Sequence, residues 1–124
     1  MGDTDHHASL ALENFDGALT ELKKRRFSNV GLLSLRALEQ MTEACAAKEG
    51  LHFHEHPRTA HKNRRNWLMI RHPDLLETWD QLWGIYGALG YGGLNGARAK
   101  RALTILKTCL AELSRREKIA IRGL

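Results

Sequence analysis

Apolar residues recur at steps of three and four along most of this chain, the spacing of one face of an α-helix. The clearest run is Val30, Leu33, Ala37, Met41 and Ala44. Only 2 prolines, Pro57 and Pro73, occur in 124 residues, so long helices are permitted. Aromatic residues make up 6%, and no segment alternates Val, Ile and Thr. Both features disfavour a β-sheet.

The pattern predicts helices over about residues 8–26, 29–49 and 60–71. A fourth begins near Pro73, and a fifth runs to about residue 118. Ser28, Thr59 and Asn95 are expected to cap the second, third and last helices. Gly50 fits the end of the second helix. The glycine-rich stretch "GYGGLNG" is expected to form the loop before the last helix.

The length of 124 residues predicts one domain spanning residues 1–124. Short connections between long amphipathic helices predict an all-α, up-down antiparallel bundle of four or five helices. The predicted fourth helix carries Trp79, Trp83 and Tyr86 on one apolar face. This stripe is expected to lie in the core, or to form a dimer interface if one bundle cannot cover it.

The net charge of +5 suits a polyanionic partner such as nucleic acid. The N-terminus "MGDTDHHASL" lacks an apolar signal-peptide core, and no window approaches a membrane span. We therefore expect a cytoplasmic protein without membrane contact. Cys45 and Cys109 both sit in apolar helical patterns, which predicts small core residues and no disulfide. No motif indicates a cofactor.

Three stretches together resemble a known family of small helical bundles. They are "LLSLRALEQMTEACAAKEG", "HFHEHPRTAHKNRRNWL" and "LWGIYGALGYGGLNGARAKRALTILKTCLAEL". In helix layout they are similar to a HEPN-domain protein. The likeness runs from about Phe15 to Arg116, within an expected HEPN-like core of about residues 8–118. The resemblance implies a prokaryotic bundle, often dimeric, that is linked to RNA cleavage or nucleotide binding.

Nuclease members of that family share an Arg followed, after four to six residues, by a His. The segment "RNWLMIRH" matches with Arg65, Asn66 and His72. The resemblance implies that His72 transfers a proton and that Arg65 holds the phosphate of RNA during metal-independent cleavage. Both would share a face of one continuous helix. The family places this pair near its last long helix, whereas here it lies earlier.

A cluster of cations predicts an anion-binding face. Its members are Arg58, His61, Lys62, Arg64 and Arg65. Most would share a face of the third helix if that helix begins early. Together they could grip phosphates of RNA or a nucleotide. Arg36 interrupts the apolar run of the second helix, and we expect it to pair with Glu39 or Glu43.

The same region is rich in imidazole. His52, His54 and His56 would point to one side of an extended segment, with His61 or Glu55 as a further donor. Neutral imidazole suits zinc, nickel or copper. These histidines remain weak candidates, since no second ligand cluster is evident elsewhere in the sequence.

Three functions stay open from the sequence. The first is a HEPN-like module that binds RNA or nucleotide phosphates through the basic face. The second is a metal-independent endoribonuclease that uses Arg65 and His72. The third is a structural homodimer or partner-binding protein, in which Trp79, Trp83 or Tyr86 would be exposed to a second protein.

Overall fold

The computed structural model describes residues 2–92 and 96–122, and these residues form five α-helices without a strand. The helices are α1 (Gly2–Lys23), α2 (Phe27–Ala47), α3 (Ala60–Arg71), α4 (Leu76–Gly92) and α5 (Gly96–Glu117). Two 3-10 turns, Phe53–Glu55 and Pro73–Leu75, lie on either side of α3. The all-α prediction is confirmed. Among the described residues, no helix combines the length and hydropathy needed to cross a membrane.

The helix boundaries follow the sequence prediction most closely at α3, where the predicted range is confirmed. α1 begins six residues earlier than expected, because the polar start of the chain is helical too. Ser28 does not cap α2, since Arg26 occupies the N-cap position and Ser28 lies inside the first turn. Thr59 stands at the N-cap of α3, although its side chain makes no capping hydrogen bond.

The glycine-rich stretch is more helical than predicted. α4 continues to Gly92 and α5 begins at Gly96. The rest of the stretch, including the expected cap at Asn95, lies outside the described residues.

Three helices end with a residue in the left-handed conformation. Arg25 has φ 60°, Gly50 has φ 78° and Lys118 has φ 57°. In each case the next backbone N–H bonds to a carbonyl five residues back, which closes the helix end in a Schellman-like turn. The sequence signalled this only at Gly50, because a Cβ disfavours the same conformation at the other two positions.

α2 is the central helix and packs against α1, α3, α4 and α5. One hydrophobic core includes residues from all five helices, with Trp79, Leu38 and Met41 wholly buried at its centre. Cys45 and Cys109 lie in this core as predicted, and neither forms a disulfide. Burial raises the pKa of both thiols, to about 12 for Cys109, so neither is a reactive thiolate near neutral pH.

Candidate ligand-binding groove

The central feature of the candidate site is a buried carboxylate. Glu43 lies on α2 and is only 1% exposed. Arg64 Nε donates to its Oε2 at 2.7 Å, and His54 Nδ1 donates to its Oε1 at 3.1 Å. Burial acts to raise the pKa of Glu43, but the hydrogen bonds from Arg64 and His54 outweigh it and lower the pKa. Glu43 is therefore a carboxylate at neutral pH.

Arg64 also connects this carboxylate to a second one. Its Nη1 donates to Glu39 Oε2 at 3.3 Å. Burial raises the pKa of Glu39, and the nearby cations Arg64, Arg36 and His61 only partly offset this effect. Arg64 thus stabilises two carboxylates on α2 from its position on α3.

The expected pairing of Arg36 with Glu39 or Glu43 is wrong, because Arg64 occupies both carboxylates. Arg36 is exposed on α2 and makes no hydrogen bond or ion pair with any residue in 2–92 or 96–122. Its charge is felt by Glu39 through space. A guanidinium without a hydrogen-bonded carboxylate is available to an outside anion.

Arg36 lies on a groove of about 530 Å³ formed by α2, α3, α4 and the segment before α3. The polar side chains of the groove come from Arg36, Glu39, His54, His61 and Arg64. Its apolar and aromatic wall consists of Leu32, Leu35, Pro57, Ala60, Trp83 and Tyr86. The groove therefore combines cations with aromatic surface.

The aromatic wall is built from edge-to-face contacts. The His61 ring stands 4.4 Å from Trp83, and Trp83 stands 5.8 Å from Tyr86. The Nε1 of Trp83 is buried and has no hydrogen-bond partner among the described atoms. Trp79 lies behind the wall with no exposed surface. The partner hypothesis required exposed aromatics, and Trp79 does not provide one.

The residues of the predicted basic face lie in different environments in the structure. His61 and Arg64 line the groove, although the charge of Arg64 is already paired. Arg58 and Lys62 are exposed, and neither makes a hydrogen bond or ion pair within the described part of the chain. Arg58 precedes α3 instead of extending its face, because the helix begins at Ala60.

Arg65 points to α4, away from this group. Its Nε and Nη2 donate to the two oxygens of Asp80 at 3.1 and 2.9 Å. The same hydrogen bonds lower the pKa of Asp80. Arg65 is therefore already engaged by a carboxylate, as a structural ion pair would be.

The proposed catalytic partner of Arg65 has a different environment. His72 is buried, and its Nε2 donates to Glu117 at 2.6 Å. Arg116 Nη1 lies 3.4 Å from the other ring nitrogen. α3 ends at Arg71, so Arg65 and His72 do not share one continuous helix. No described hydrogen bond brings the two side chains together, and neither lines the groove.

The segment that contains His52, His54 and His56 is not extended, since Phe53–Glu55 forms a 3-10 turn. The three rings therefore do not share a side in the way that the sequence suggested. His54 bonds to Glu43, while His52 Nδ1 lies 3.6 Å from an oxygen of Asp3. His56 is exposed and has no described side-chain contact.

Two further histidines join this region from the start of α1. The His7 ring lies 4.7 Å from His54 and 5.3 Å from His6. His52 lies 6.0 Å from His54 on the other side. Sequence reasoning missed the contribution of His6 and His7, although the doublet in "DTDHHASL" was its visible signal.

No protein-family model matches this chain, and the curated proteins and solved structures yield no significant match either. The HEPN resemblance therefore remains a prediction from helix layout and sequence pattern.

Proposed function

We propose that the protein binds RNA or a nucleotide in the groove between α2, α3 and α4. Arg36 would hold a phosphate, with Lys62 and Arg58 as further cations. Trp83 and Tyr86 would contact the base. This assignment keeps the binding function that the HEPN resemblance implies and moves its centre to Arg36.

The observation that carries the proposal is the unpaired state of Arg36 in an aromatic-walled groove. Arg64 satisfies Glu39 and Glu43, so the nearest carboxylates do not compete for Arg36. A guanidinium can bind two phosphate oxygens at once. Contact of a base with an aromatic side chain contributes about 1–3 kcal/mol. Cation and ring together therefore favour a nucleotide over a simple anion.

The ribonuclease hypothesis has less support. Arg65 and His72 each have a carboxylate partner of their own, Asp80 and Glu117. A homodimer or a second protein partner remains a prediction, with the half-buried Trp83 and Tyr86 as its candidate contact residues.

The test is binding of a fluorescently labelled single-stranded RNA of about eight nucleotides, followed by anisotropy at about 50 mM salt. Arg36→Gln should weaken binding by about tenfold, the loss expected for one phosphate contact in a partly desolvated site. It should also make binding less dependent on salt: the slope of log K against log salt concentration should become shallower by about 0.7. AMP should compete with the RNA.

Lys24→Gln is the matched control, since it removes the same charge from an exposed site between α1 and α2. It should leave affinity nearly unchanged. Equal losses for Arg36→Gln and Lys24→Gln would show non-specific attraction to a basic protein. Absence of binding by the wild type at low salt would refute the proposal.

A further inference from the structure

Three potential metal ligands from distant parts of the chain converge beside the groove. His7 comes from α1, Glu43 from α2 and His54 from the turn before α3. One donor atom from each lies within 4.8 Å of the donors of the other two. His7 and Glu43 are buried, whereas the His54 side chain is 41% exposed. The cluster is therefore both fixed in the fold and accessible from outside.

We propose that His7, Glu43 and His54 form a binding site for a divalent transition metal, with zinc as the best fit. Two imidazoles and one carboxylate are a known ligand set for zinc that leaves a fourth position open. Calcium and magnesium fit poorly, because they take mainly oxygen ligands.

The spacing of two of the donors already approaches what zinc requires. His54 Nδ1 and Glu43 Oε1 are 3.1 Å apart. Ligands at about 2.0–2.2 Å from a tetrahedral zinc lie about 3.4 Å from one another. A metal ion would take the place of the proton that these two atoms share. The third donor, on His7, lies within 4.8 Å of the other two and would have to approach slightly.

The surrounding groups hold the donors in a suitable state. His7 Nδ1 donates to Gln40 Oε1 at 2.7 Å, which leaves Nε2 as the unprotonated nitrogen. Such a hydrogen bond to the second ring nitrogen is typical of metal-binding histidines. Arg64 donates to Glu43 Oε2 and so leaves Oε1 to face His54.

Other charges near the cluster come from α1 and from the segment after α2. His6 and His52 lie beside the two ligand histidines, and Asp3 pairs with His52. Imidazole binds a metal only in its neutral form, so Zn²⁺ competes with protons for these ligands. The bound metal would connect the start of α1 to α2 and to the turn that precedes α3.

The experiment uses untagged full-length protein that has been stripped with a chelator and titrated with Zn²⁺ by calorimetry. The wild type should bind one Zn²⁺. His7→Gln and His54→Gln should each weaken binding by about 100-fold, while His56→Gln, in the same segment but outside the cluster, should not. Gln40→Leu should weaken binding by about tenfold, because the orienting hydrogen bond is lost.

Co²⁺ gives a second readout, since an absorption band of tetrahedral intensity should appear in the wild type and in His56→Gln but not in His7→Gln or His54→Gln. Circular dichroism confirms that each variant is folded. Wild-type protein without Zn²⁺ binding would overturn the proposal. So would His7→Gln and His54→Gln variants that bind as the wild type does, which would indicate capture by surface imidazoles. RNA binding measured in EDTA tests the proposed function separately.

Discussion

Two buried carboxylates in this protein are each held by a histidine and an arginine, but their surroundings differ. Glu43 lies on α2 and is bound by His54 and Arg64. Glu117 ends α5, is 7% exposed, and accepts hydrogen bonds from His72 at 2.6 Å and Arg71 at 3.3 Å. The two sites have the same chemical composition at their centres.

The Glu117 site is closed. His72 is buried, and Arg116 approaches its second ring nitrogen. Arg116 is in turn fixed by both oxygens of Asp74 at 2.9 and 2.6 Å. Lys48 donates to the backbone carbonyl of Glu117. These contacts leave little capacity to bind a ligand, which is typical of a structural connection between helices.

The Glu43 site is open. Its histidine is half exposed and lines a groove, and a further imidazole, His7, stands beside it. A histidine–carboxylate pair alone therefore does not mark a functional site. A binding site, unlike a structural connection, also has access from solvent and a donor atom that is free to bind a ligand.

The largest predicted effect is on stability at the closed site. Glu117→Gln should lower the free energy of unfolding by about 3 kcal/mol, since it leaves the buried His72 without its carboxylate and leaves Arg71 with Glu49 as its remaining partner. Urea denaturation at pH 7 measures this loss. Glu112→Gln, a half-buried member of an ion-pair group on α5, should cause only a small loss. Equal losses would show that the Glu117 cluster is not a structural centre. Zn²⁺ binding should be unchanged in Glu117→Gln.

The open site should respond less strongly, because Glu43 keeps its hydrogen bond to His54 and Glu39 is partly exposed. Arg64→Gln should lower the free energy of unfolding by about 2 kcal/mol at pH 7. It removes from both Glu39 and Glu43 the cation that lowers their pKa values, while burial, which raises both, stays.

The pH dependence of Arg64→Gln gives the sharper measurement. In the wild type the lowered pKa of Glu43 contributes stability that is fully present above the ordinary value of 4.5 and is lost as pH falls. In the variant the pKa values of Glu39 and Glu43 are higher than in the wild type, so less stability is lost as pH falls towards 4.5. The difference in free energy of unfolding between the wild type and Arg64→Gln should therefore narrow from pH 7 to pH 4.5. A constant difference would contradict the role of Arg64.

The sequence predicted the helices well because their signal is local. The apolar spacing of α2 and the range of α3 follow from residues within a few turns of each other. The contacts that define the site are not local. Glu43 meets Arg64 across 21 positions, and His72 meets Glu117 across 45. Periodicity does not specify which partner a charged residue selects across a bundle.

Arg36 and His7 are two examples of partners that the sequence did not specify. The carboxylates nearest to Arg36 in the sequence were its expected partners. Instead, Arg64 on α3 forms ion pairs with both of them. His7 had no apparent role in the sequence because its partners, Gln40 and His54, lie on distant segments. Candidate residue types could be named from the sequence, but their grouping required the fold.

A smaller effect is expected at the exposed edge of the closed site. The hydrogen bonds from Arg116 lower the pKa of Asp74 to about 2. The stability from this pair is present above the ordinary value of 3.8 and is lost as pH falls from 3.8 to about 2. Asp74→Asn should therefore reduce the dependence of the urea midpoint on pH in this range. Asp16→Asn, at an exposed position on α1, should not.

The smallest expected effect is on RNA cleavage. A histidine that transfers protons must reach its substrate, but the ring of His72 is buried between Glu117 and Arg116. Single-stranded RNA incubated with wild-type protein and EDTA should therefore remain intact on a denaturing gel, and His72→Asn should give the same result. Cleavage that persists in EDTA and disappears in a folded His72→Asn variant would show that the Glu117 site opens. The distinction between a closed and an open site would then fail, and Arg65 with His72 would become the leading functional pair.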